Sequence, residues 1–409
     1  MQQPTSGDLR RPNPLFTFFR LIFLIVIDVY PIIFLDALPM EQSAAAAVQP
    51  RQTKKNAPRG NVMALTRRGF SSSALGLAGV IGMGGGRFAH AAEPITLGLS
   101  NGYFGTEWRD QMIDASQKQF AMYQAQGVAH KLIVQQAGPD TAAQIQDVRN
   151  MIRSRVNVIM IDANSATALT GVIHEAKRAK IPVIAFDQAV TDPYATNVGI
   201  DEYDWGKHYA EWIVTQLKGQ GRVAVMDGVP GHPAAVARRT AFMDVFAKNP
   251  GITIVWSGYG MWDQAKAQAV MATVLAATPQ IDAVCTEDGM GLGIMRAFQS
   301  AGRPVPIMTG EAQKSFLLAW KKELDAGHDV HLFARSNPPE IGRTAVGVAV
   351  RIAQGRQLKP LPNNTYHYPI KVEVTNENLV ALLDSVKDKP DGYFLGEWLD
   401  ETELDALFV

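Results

Sequence analysis

The chain has 409 residues, with 39 Lys and Arg against 39 Asp and Glu, 47% hydrophobic and 19% charged residues, and a single cysteine. That length leaves room for two or three domains with proper cores, and the composition excludes a disordered chain or a polytopic membrane protein. A zero balance argues against nucleic-acid binding, and the lone Cys285 excludes an internal disulfide framework or a cysteine-rich metal site.

The zero is an average of two unlike pieces. Residues 1–91 hold ten of the 39 basic residues and four of the 39 acidic ones, so the remainder carries 29 basic and 35 acidic residues, a balance of −6. Thr66-Arg67-Arg68-Gly69-Phe70 is a twin-arginine pair with a hydrophobic residue behind it, as in Tat export signals. A mildly apolar, Gly- and Ala-rich stretch follows over 72–83, and Ala89-His90-Ala91 has the small-x-small form that a signal peptidase accepts. Residues 63–91 are therefore read as a signal peptide, with no cysteine at the cleavage site to carry a lipid. Before it, the apolar run 15–38 is interrupted by Arg20, Asp28, Pro31 and Asp36, and each central charge costs about 2.5–3.5 kcal/mol in a membrane. Translation from Met63 would put the arginine pair near the terminus, so 1–62 is read as an untranslated or disordered extension.

From residue 94 short apolar runs alternate with amphipathic segments. Strands are predicted over 95–100, 131–135, 156–161, 181–186 and 196–199, with helices over 107–126, 140–154, 167–180 and 205–217. The cycle then restarts. Strands over 223–226, 253–257, 281–284 and 305–308 alternate with helices over 233–247, 263–277, 289–300 and 311–326, and a last strand covers 331–333. Strand–helix alternation gives parallel sheets with helices on both faces. The break near residue 200 divides them into two doubly wound α/β lobes.

Ligands of such sheets bind beyond the carboxyl ends of the strands. There the sequence places Asn101, Tyr103, Phe104, Trp108 and Arg109 after the first strand, and Asp187 and Gln188 after the fourth. The glycine-rich loop 228–231 leads to Arg238; Glu287 and Asp288 follow Cys285, Glu311 follows Gly310, and Asn337 follows the last strand. Carboxylates accept from neighbouring hydroxyls, Arg and Asn donate, and aromatic faces cover apolar C–H surfaces. Sugars and polyols need that mixture.

These segments resemble the type I periplasmic binding proteins of ABC sugar importers, the ribose- and galactofuranose-binding group. The resemblance spans about 95–357 and rests on Leu97-Gly98-Leu99-Ser100 with Trp108-Arg109, Ile181-Pro182-Val183-Ile184-Ala185-Phe186-Asp187, Gly199-Ile200-Asp201, the stretch 228–242 and Glu287-Asp288-Gly289-Met290. It implies two lobes joined by a three-stranded hinge, crossing near Gly199, Asn337 and Pro360. The first lobe would be 92–199 plus 337–360, and the second 200–336 plus 361–409 with the tail. It further implies that Asp187 grips two hydroxyls, that Tyr103 and Phe104 sandwich the ring, and that Arg109 reaches the ligand beside Trp108. Arg238, Glu287, Asp288 and Asn337 would complete the site. Gln188, Glu287 and Gly310-Glu311 depart from common family residues, and two of these changes make the cleft less positive, which disfavours acidic or phosphorylated ligands.

The resulting expectation is a monomeric, non-enzymatic periplasmic receptor for a neutral sugar or polyol, read by a membrane permease of an ABC importer. It uses no cofactor, catalytic residue or metal. The alternative is a receptor feeding a chemoreceptor or sensor kinase. No metalloprotease-type His spacing, Walker glycine-lysine or Gly-x-Ser-x-Gly occurs, and the seven histidines beyond residue 91 are dispersed. An enzyme would need Asp187 with Glu287 or Asp288 as its carboxylate pair.

Overall fold

The computed structural model describes residues 94–409; the export signal and the extension before it lie outside the described residues. The first lobe begins with β1 (Ile95–Asn101), α1 (Glu107–Ala125), β2 (Ala129–Gln136), α2 (Thr141–Arg153), β3 (Val158–Asp162), α3 (Thr170–Arg178), β4 (Val183–Phe186) and β5 (Ala195–Gly199). The second holds α4 (Glu202–Gln216), β6 (Gly221–Asp227), α5 (Pro233–Ala247), β7 (Ile252–Tyr259), α6 (Gln264–Ala277), β8 (Ala283–Thr286), α7 (Gly291–Ser300), β9 (Ile307–Glu311), α8 (Lys314–Asp325) and β10 (Leu332–Arg335). The chain returns to the first lobe as α9 (Ile341–Ala353) and β11 (Thr365–His367), then forms β12 (Glu373–Val374), α10 (Leu379–Ser385) and α11 (Glu401–Ala406).

The sheets run β11-β5-β4-β3-β1-β2 and β12-β10-β9-β8-β6-β7, parallel throughout except for β12. Every residue of β3, β4 and β8 is buried, as expected of strands covered by helices on both faces. Burial of each large aliphatic side chain there contributes about 1.5–3 kcal/mol. Helix starts are marked by side-chain caps: Thr106 accepts from the Arg109 amide, Asp140 from Ala142, Asp201 from Asp204 and Asp263 from Lys266. Among the described residues no helix is long and apolar enough to cross a membrane.

Three details differ from the sequence expectation. The crossing placed near Pro360 falls after His367, because β11 pairs with β5 and extends the first sheet. Strands of two or three residues carry no periodic signature, so β11 and β12 were invisible in the pattern. The predicted helix at 311 begins at Lys314, with Glu311 still in β9. Finally, the tail assigned with the second lobe crosses to the first. Its Leu399 amide donates to Thr344 Oγ1, and α11 packs against α9.

Candidate ligand-binding cleft

A cavity of about 310 Å³ lies between the lobes, at the carboxyl ends of the strands. In each sheet the first strand is flanked by the second and third, so the order reverses there and opens a crevice. Tyr103, Trp108, Arg109, Asp187 and Gln188 line it from the first lobe, Arg238 and Asp288 from the second, and Asn337 from a crossing.

Asp187 terminates β4 with φ 60°, a left-handed conformation that aspartate tolerates better than most residues. Its Oδ2 accepts from Gln188 Nε2 at 2.8 Å and lies 3.3 Å from Arg109 Nη2. Arg109, one turn into α1, also pairs with Asp162 at the end of β3. Gln188 Oε1 accepts from the Ala234 amide at 2.9 Å, so one side chain ties β4 to the first turn of α5 in the opposite lobe. Trp108 Nε1 donates to the Asn337 carbonyl at 2.7 Å.

On the other side, Arg238 is 1% exposed and is held by three carboxylates: Glu202 at 2.7 Å, Glu287 at 2.8 Å and Asp288 at 2.7 Å. Its guanidinium lies 4.2 Å from the centre of the Trp205 ring. Asp288 also accepts from Asn337 Nδ2 at 3.2 Å. Several buried polar atoms on these cavity residues have no partner within the protein: Asp187 Oδ1, Asp288 Oδ1, Asn337 Oδ1, Arg238 Nη2 and Trp262 Nε1. Three acceptors and two donors thus stand ready beside aromatic faces. Buried polar atoms in this state cost free energy until something pairs with them.

A family model described as periplasmic binding protein domain matches residues 97–357. The chain belongs to this family. It is 26% identical over 246 residues to the ribose import binding protein of Bacillus subtilis, covering 59% of this chain and 77% of that one. It is 26% identical over 260 residues to the xylitol-binding protein of Mycolicibacterium smegmatis, covering 63% and 72%. Among solved structures, an ABC transporter solute binding protein from Thermobispora bispora superposes with a TM-score of 0.70 at 28% identity, covering 76% of this chain and 94% of that one.

In this periplasmic binding protein four of the twelve singled-out residues stand back from the cavity. Asn101 is fully buried behind it, donating to the Tyr103 carbonyl and to Gln136. Phe104 is 51% exposed and does not line the cavity. Glu287 points to Arg238 and the Gly228 amide, and Glu311 accepts from the Gly291 amide at 2.8 Å, at the start of α7. The charge changes at 287 and 311 therefore act behind the cleft wall rather than on it. Burial pushes the Glu311 carboxyl up to about 7 and raises that of Asp288; it also pushes the Glu202 carboxyl, beside Arg238, up to about 8.

The strand-end reading missed Trp262 and Gln264, which follow β7, together with Gln313 and Phe394. The first two obey the same strand-end rule, but Trp262 reads in the sequence as one of several scattered packing or rim tryptophans. Trp262 packs edge-on to His232 and Tyr103, with centroids 5.4 and 6.4 Å apart. His232 is buried in that aromatic cluster, and burial, with Arg109 nearby, pushes its imidazole down to about 4. Phe394 belongs to the tail, for which the sequence offered no signal.

Proposed function

We propose that this chain is a periplasmic receptor that binds one neutral monosaccharide or polyol between its lobes and delivers it to the membrane permease of an ABC importer. The observation that carries the reading is the set of unpaired acceptors and donors on Asp187, Asp288, Asn337, Arg238 and Trp262 around one cavity. Vicinal hydroxyls can satisfy such a mixed set, and the aromatic side chains Tyr103, Trp108 and Trp262 cover the apolar face of a ring. The two arginines are already neutralised by carboxylates, which favours an uncharged ligand over an acidic one. The names of the ribose import and xylitol-binding relatives support the same ligand class.

The protein acts as a monomer, binds without turning its ligand over, and reaches the periplasm by the twin-arginine route through Arg67 and Arg68. Lobe closure around ligand supplies the signal that a permease reads. The test is isothermal titration with aldoses, pentitols and inositol, followed by recovery of the bound ligand. One ligand per chain, recovered chemically unchanged, is expected. Steady conversion to a product would assign the cleft to an enzyme instead, and binding of phosphorylated sugars alone would overturn the neutral-ligand reading.

A further inference from the structure

The proposed function involves the part of the chain that the family model matches; the tail lies beyond it. We infer that the tail belongs to the ligand site, with Phe394 as a specificity-determining wall and the surrounding segment as a fourth strap between the lobes. The inference rests on the cleft being the ligand site.

The tail leaves α10 in the second lobe and pairs there first. The Lys314 amide donates to the Tyr393 carbonyl and the Leu395 amide to the Ala312 carbonyl, both at 2.8 Å, so Phe394 forms an antiparallel bridge with Gln313. Directly opposite, Gln111 on α1 of the first lobe clamps the same residue. Its Nε2 donates to the Phe394 carbonyl and its Oε1 accepts the Phe394 amide, each at 2.9 Å. Phe394 is consequently gripped by both lobes, 3% exposed, with its residue in the cavity lining.

Residues 396–409 secure the strap to the first lobe. Gly396 passes so close to the buried Glu340 carboxylate that a Cβ there would overlap Oε2. Trp398 lies beneath the Arg343 guanidinium at 3.9 Å. Glu401 accepts from Tyr123 at 2.8 Å and Arg351 at 2.9 Å, and the Val409 amide donates to the Gln357 carbonyl at 2.9 Å. A segment that only covered exposed core would need neither the two-sided clamp on Phe394 nor a place in the cavity. Phe394 belongs both to the buried apolar core and to the cavity lining, so a change of side-chain size there alters the wall that bounds a sugar and covers its C–H surface.

The experiment titrates the purified protein with D-ribose, xylitol, D-galactose and myo-inositol by calorimetry, alongside Phe394→Ala, Phe394→Leu, Phe394→Trp and Asp187→Ala. Phe394→Ala is expected to weaken the best-bound probe at least tenfold and to move the preference toward the six-carbon probes. Phe394→Trp should move it the other way, and Phe394→Leu should keep the native melting temperature while still altering the ranking. If the Phe394 variants keep native affinities and ranking while Asp187→Ala loses binding, the inference fails and the proposed function stands. If they weaken all probes equally, the role is structural only and the inference also fails. A native protein that binds none of the four overturns the neutral-ligand reading and the inference with it.

Discussion

Asp187 carries the sharpest single-residue prediction. It pairs with Arg109, it holds Gln188, and its second oxygen has no partner in the protein. Removing a carboxylate that accepts several hydrogen bonds from a ligand costs at least about 2 kcal/mol, or about thirtyfold in Kd. Asp187→Ala should therefore lose that much affinity by calorimetry without a change in stoichiometry; native affinity would remove Asp187 from the site. Arg238 makes a different prediction, on stability. It is the shared counter-charge of Glu202, Glu287 and Asp288, all close by in a region from which water is excluded. Breaking such an arrangement from one side costs about 3–5 kcal/mol, because the carboxyls left behind stay buried without their partner and must either remain unpaired or take up protons. Arg238→Met should lower the urea midpoint accordingly, and an unchanged midpoint would show that the carboxylates find other partners. The neighbours Glu287 and Asp288 also show where residue-level reading stops. The sequence places both at a strand end, but Arg238 and the Gly228 amide draw Glu287 backward while Asp288 lies on the cavity. Which of two adjacent carboxylates faces the cavity depends on partners some 50 residues away in the chain.

Helices α4 and α5 meet at Gly206. A Cβ there would come within 2.8 Å of both the Cα and the carbonyl oxygen of Arg238, which are backbone atoms that cannot swing aside. Gly206→Ala should push the helices apart at a cost of about 1–3 kcal/mol and move the Arg238 guanidinium with them. Thermal unfolding would read the first effect and ligand titration the second; a variant with native Tm and native affinity would show that the contact relaxes freely. The longer elements were legible because helices buried on one face and strands buried on both leave opposite apolar patterns. Thus β3 and β4 read as apolar runs and α1 as a stripe through Trp108, Met112 and Ala115. The strands β11 and β12 were not legible, since three and two residues leave no pattern and their place is set by pairing with β5 and β10.

The second lobe has a pH response that follows from its buried carboxylates. In Glu311, and in Asp227 of β6, burial holds the folded carboxyl at about 7, above its unfolded range. The folded state then binds more protons than the unfolded one between about pH 4.5 and 7, so stability falls as pH rises through that window, by about 1.4 kcal/mol per pH unit for each fully shifted group. His232 acts oppositely. Its folded form stays neutral down to about 4, so stability is lost as pH falls from about 6.5 toward 4. With these two carboxyls, joined by that of Glu202 at about 8, against one histidine, urea denaturation should show the protein more stable near pH 5.5 than near pH 8. Glu311→Gln, which keeps an acceptor for the Gly291 amide, should narrow that difference; an undiminished difference would mean Glu311 does not titrate in this range. Ligand adds to this stability by mass action, about 2.7 kcal/mol at one hundred times Kd, so the melting temperature should climb with probe concentration. Sequence alone was enough to reveal the two-lobed α/β fold, to suggest the family by resemblance, and to place Asp187 at one of the strand ends that line the cavity. The fold and the strand ends follow from local patterns, because each buried parallel strand must be apolar and each loop beyond it polar. The place of the third crossing, the retreat of Glu287 and Glu311 behind the wall, and the passage of the tail across the cleft emerged only from the folded chain. They depend on contacts between segments far apart in sequence, such as Phe394 with Gln111 and Glu401 with Tyr123, which no local pattern encodes.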